Sequence, residues 1–64
     1  MTFKQAKKDF LRGLMLENQC LTIAELKKVI GVTNIRVYWV DHVDYLRRNG
    51  DITERQAFNW GQVI

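Results

Sequence analysis

One local pattern occurs at three places in this chain and divides it: Thr2-x-x-Gln5, Thr22-x-x-Glu25 and Thr53-x-x-Gln56. In each, a threonine hydroxyl can accept from the backbone N–H three residues on. The Glu or Gln side chain can then reach back to the threonine's own N–H. This arrangement starts α-helices, and each cap is worth about 1 kcal/mol. Two of the caps have flanking apolar residues placed to staple the first turn, Leu21 with Leu26 and Ile52 with Ala57. Thr33 is a fourth cap candidate, with Val32 and Val37 as its staple.

Apolar spacing extends each start into a helix. The first is expected from about Phe3 to Leu16, with Phe3, Ala6, Phe10, Leu14 and marginally Leu11 on one face. Lys4, Lys8 and Arg12 form the opposite stripe. Gly13 interrupts this helix at a cost of about 1 kcal/mol relative to alanine, and close helix–helix contact is the expected reason for it. Glu17-Asn18-Gln19-Cys20 reads as a loop. The second helix is expected from Ile23 to Ile30, with Ile23, Leu26, Val29 and Ile30 inward, Lys27 and Lys28 outward, and Gly31 as its left-handed stop.

The third helix is expected from about Asn34 to Asn49, stopped by Gly50. Ile35, Trp39, Val43 and Leu46 make its main stripe, with His42 on the centre line. Tyr38 and Tyr45 flank that stripe on one side, and Val37 and Val40 fall on another. A fourth, short helix is expected from about Glu54 to Trp60, where Ala57, Phe58 and Trp60 can close over the rest, and residues 61–64 form a tail. The expected fold is therefore all-α. It is a compact bundle of three helices plus a short C-terminal fourth, in one domain covering residues 1–64, with a tight corner at residues 30–33.

Size and composition exclude much else. A chain of 64 residues buries only about 60% of its unfolded surface, so stability is marginal. Cys20 is the only cysteine and His42 the only histidine, which rules out an internal disulfide and leaves a thiolate metal site short of ligands. No metal and no cofactor is expected. His42 has no nucleophile and orienting partner at helical spacing, and the sequence contains no phosphate-cradling glycine loop, so an enzyme is not expected. The first residues lack a signal peptide's apolar run. No segment approaches the roughly 20 apolar residues that span a bilayer. With a single free thiol, the expected setting is the cytoplasm, away from membranes.

From Ile23 to Val40 the chain resembles a bacterial helix-turn-helix segment, through Leu26, Ile30, Gly31, Val32, Thr33, Val37 and Val40. The stretch from Val43 to Ile52 resembles the end of a winged-helix recognition helix entering its wing. The whole resembles the small helix-turn-helix DNA-binding proteins of bacteriophages and bacterial regulators. Three features depart from that pattern. Lys27 stands where a small buried residue is usual. The stripe at Trp39, Val43 and Leu46 is about two residues out of phase with Val37 and Val40. Ile52-Thr53-Glu54-Arg55-Gln56 reads as a helix start rather than a β-wing.

The resemblance implies a transcription regulator that binds double-stranded DNA as a homodimer. Asn34 and Arg36 would then read bases, as Asn pairs with adenine and Arg with guanine. Lys4, Lys7, Lys8, Lys27 and Lys28 would meet phosphates. The net charge of +3 lies wholly in residues 1–30, where six basic residues meet three acidic ones. Residues 31–64 carry four of each. That neutrality, together with Asp41 and Asp44 on the third helix, keeps a second reading open. In it, the chain is a helical protein–protein interaction module that binds a host or partner protein through Val37, Tyr38 and Tyr45, since aromatics are favoured at interface centres.

Overall fold

The structure, a computed structural model, describes residues 1–61 and 63–64. It is all-α, with α1 at Phe3–Glu17, α2 at Ile23–Ile30, α3 at Val32–Arg48 and a short α4 at Glu54–Asn59. Neighbouring helices in the chain pack on one another, and the body measures 32 × 18 × 16 Å.

All three threonine caps form. Thr2, Thr22 and Thr53 accept from the N–H groups of Gln5, Glu25 and Gln56 at 3.2, 3.1 and 3.1 Å. Only the last is a reciprocal capping box, in which the Gln56 side chain also accepts from the Thr53 N–H. At α2 the Glu25 carboxylate instead accepts from Leu21 N–H, one residue earlier. The Leu21 staple does not form, because Leu21 is 89% exposed, whereas Ile52 is buried in the core and Ala57 packs against that same core.

The third helix begins earlier than the sequence predicts. Gly31 alone joins α2 to α3, with φ 85° and ψ 149°, and helical geometry resumes at Val32. Thr33 is therefore inside the helix and caps nothing, and the four-residue corner contracts to one glycine. Only glycine adopts that backbone region readily, so the turn needs no further residue. At the other end, Gly50 N–H bonds Arg47 O and Asp51 N–H bonds Leu46 O, a Schellman closure with Gly50 at φ 79°. The expected loop after α1 closes in the same way. Gln19 N–H bonds Leu16 O, Cys20 N–H bonds Met15 O, and Gln19 takes the left-handed position at φ 56°.

The core is Ala6, Phe10 and Leu11 of α1, Leu26 of α2, and Ile35, Trp39 and Leu46 of α3, together with Cys20, Ile52 and Val63. Trp39 is its centre. Phe3 and Phe10 meet it edge-on, at centroid separations of 5.8 and 5.2 Å, and Trp60 stacks on it at 6.2 Å. Such aromatic pairs add to the area they bury.

The C-terminal residues depart from the expected tail. Val63 is among the most buried side chains, and Trp39 Nε1 donates to Gly61 O at 2.9 Å. Gln62, part of that expected tail, lies outside the described residues. Three further expectations fail. Ile23 and Val29 of α2 are exposed rather than inward, and Phe58 is 90% exposed rather than closed over the bundle.

Candidate functional site

The core positions α3 so that one side of it is sealed and the others meet solvent. Ile35, Trp39 and Leu46 face inward. Val37, Tyr38, Val40 and Tyr45 are 53, 45, 57 and 60% exposed. This follows from 3.6-residue periodicity: a stripe at 35, 39 and 46 leaves 37, 38, 40 and 45 off its axis.

Two of the hollows along α3 bear on the site. One lies between α1 and α3 and is lined by Asp9, Phe10, Gly13, Leu14, Glu17, Tyr38, Asp41 and His42, with a volume of about 400 Å³. The other, about 360 Å³, runs along Val40, Val43, Asp44, Arg47, Glu54, Ala57 and Phe58.

Their electrostatics differ. In the α3–α4 groove, charges are internally matched. Arg47 donates to Asp44 at 2.7 Å, Arg48 reaches the same carboxylate at 3.0 Å, and Glu54 lies 3.5 Å from Arg47. The hydrogen bond from Arg47 holds the Asp44 carboxyl below its ordinary value, and the Arg48 charge adds to this. In the α1–α3 groove, three carboxylates line the walls with no lysine or arginine among them. Its His42 ring sits 5.3 Å from Phe10 and stacks 6.5 Å from Tyr45. Burial pushes the His42 pKa below its ordinary value, partly offset by the nearby Asp9 charge.

The sequence-predicted residues fall into three groups. Asn34 and Arg36 are exposed but have partners within the chain. The Asn34 amide donates to Ile30 O at 2.7 Å, satisfying a carbonyl left over at the end of α2. Arg36 Nε donates to Ile64 O at 3.3 Å. Lys4, Lys8, Lys27 and Lys28 are exposed on α1 and α2, while Lys7 is half-buried. Val37, Tyr38 and Tyr45 share the outward sides of α3 with Val40.

Sequence reasoning missed the α1 wall of the acidic groove. Its signal was present as Asp9, Gly13 and Glu17, spaced four apart on the ridge beside the core stripe. The expected close packing at Gly13 is absent. A Cβ built there meets nothing within 4 Å, so the glycine borders open groove.

Among the described residues no group of three His, Cys, Asp or Glu side chains could hold a metal ion, and no helix is long and apolar enough to cross a membrane. The free thiol of Cys20 is buried. No family model, curated protein or solved structure matches the chain.

Proposed function

We propose that this chain is a small helical interaction module that docks on a partner protein through the outward sides of α3. The observation that carries this reading is the exposure of Val37, Tyr38, Val40 and Tyr45 on a helix whose opposite side is the domain core. Exposed apolar surface of this kind, with Tyr38 and Tyr45 on one side of α3 and Val37 and Val40 on another, supports an interaction role, and tyrosine is favoured where interfaces are desolvated. The neutral charge balance of residues 31–64 also supports it.

A second reading, a dimeric helix-turn-helix-like DNA-binding regulator, draws on one observation. Lys27 and Lys28 are exposed on the last turn of α2, across the Gly31 corner from Thr33 and Asn34, which are exposed in the first turn of α3. Against it, Asn34 and Arg36 are already engaged within the chain. Val37 and Val40, the valines that carry the motif, face solvent rather than the core.

Two measurements separate the readings. A photo-crosslinking residue placed at Tyr38 should yield one discrete protein adduct. The same residue at Arg55 should not, and Tyr45→Ala should lower the yield. Fluorescence anisotropy should find no saturable binding of duplex DNA at low salt. Salt-sensitive duplex binding that a Lys27/Lys28 double alanine change weakens, and that Tyr38→Ala with Tyr45→Ala leaves intact, would install the second reading instead.

A further inference from the structure

We propose that the α1–α3 groove receives a cationic helical segment of the partner, seated with an apolar side chain over Gly13 and a Lys or Arg about one turn to either side. The proposal rests on the docking role of α3 and names the chemistry that would occupy it.

Charge is the first argument. The chain as a whole is basic at +3, yet Asp9, Glu17 and Asp41 all line this groove and no cationic side chain does. Among the described residues the salt bridges engage Asp44 and Glu54 only, so these three carboxylates have no cation within 4.0 Å. The groove thus presents one sign of charge on a surface of the other sign, which selects a positive partner and repels a negative one.

Shape is the second. Phe10, Leu14 and Tyr38 supply an apolar lining, with the His42 ring held by its stacking on Tyr45. Asp9, Gly13 and Glu17 form one i, i+4, i+8 row on α1, a carboxylate at each end and a gap between them. That row is about 12 Å long at helical rise, or roughly two turns. A facing helix with the inverse row, cation–apolar–cation at the same spacing, matches it in both charge and contour. Gly13 is the third argument. It interrupts a helix interior without serving any packing inside the chain, since a Cβ there meets only open space. The missing side chain keeps that gap open for an incoming group.

The test uses the whole chain and two alanine-based helical peptides. One carries Lys-x-x-x-Leu-x-x-x-Lys, and the other has Glu at both Lys positions. The Lys peptide should bind saturably and shift NMR resonances of Gly13, Tyr38 and His42, and the Glu peptide should not. Asp41→Asn with Glu17→Gln should weaken binding about tenfold. Gly13→Phe, pointing into open space, should leave the circular dichroism spectrum intact and abolish binding. The proposal is overturned if the Lys peptide does not bind, if both peptides bind alike, if the shifts fall on Val40, Val43 and Phe58, or if Gly13→Phe binds normally. Concentration-dependent self-association that Gly13→Phe removes would put a second copy in the groove and also overturn it. If the peptide fails while the Tyr38 adduct still forms, only the groove assignment falls. If the adduct is missing too, the docking reading falls with it.

Discussion

Trp39, the central side chain of the bundle, donates its indole N–H to the carbonyl oxygen of Gly61 at 2.9 Å, across 22 residues of chain. The bond lets a large polar-edged ring sit in the core with its one donor satisfied. It ties Gly61 to the core, and Val63, two residues on, is 1% exposed. Trp39→Phe should therefore cost about 1–3 kcal/mol, combining the lost hydrogen bond with a partly filled cavity. Val63→Ala should cost about 2 kcal/mol. Both are read by urea denaturation. A Val63→Ala change below about 0.5 kcal/mol, the range of ordinary surface substitutions, would show that the C-terminal residues do not belong to the core.

Two left-handed positions give opposite predictions. Gln19 occupies φ 56° in the Schellman turn after α1, where a side chain adds strain that glycine avoids. Gln19→Gly should stabilise the domain by about 0.5–1 kcal/mol. Gly31 lies at φ 85°, ψ 149°, a region closed to side-chain-bearing residues. Gly31→Ala should cost about 1–3 kcal/mol, although its Cβ would meet no neighbour. Thermal melts of the two variants should move in opposite directions, and a gain for Gly31→Ala would mean that α2 and α3 join differently.

Gly13 completes the set. It is helical, exposed and free of neighbours at its Cβ position, so Gly13→Ala should stabilise α1 by about 1 kcal/mol. A loss of stability would instead reveal a close contact at that face and remove the argument that the gap serves a partner.

The particular residues explain what the sequence could and could not reveal. Helices α1, α2 and α4 were legible because Thr2, Thr22 and Thr53 are local signals whose bonds span three residues. The start of α3 was misplaced because Thr33 and Gly31 compete as boundaries, and only the backbone angles at Gly31 decide between them. Val63 was missed because Val63-Ile64, an apolar pair outside any helix, is too short to have a period to read. The exposure of Tyr38 and Tyr45 followed from the stripe at Trp39 and Leu46. The engagement of Asn34 and Arg36 did not, because their acceptors, Ile30 O and Ile64 O, depend on a chain turn and on a 28-residue closure. The acidic groove needed α1 and α3 side by side before Asp9, Glu17 and Asp41 could be seen as one surface.

His42 should make stability depend on pH in a defined direction. Burial among Phe10, Trp39 and Tyr45 lowers its folded-state pKa below its ordinary value of 6.5, against the opposing pull of Asp9. In the window between the lowered and the ordinary pKa, the unfolded chain holds a proton that the folded chain gives up. Stability therefore rises with pH through that window and falls as pH drops below about 6.5. Thermal melts between about pH 8 and pH 5 should show this decline, and His42→Gln should flatten it. Asp9→Asn removes the charge that favours the imidazolium, so it should push the folded pKa lower still and widen the window over which stability is lost. An unchanged pH profile in His42→Gln would assign the decline to carboxylates, and a narrower window in Asp9→Asn would show that Asp9 does not act on the ring.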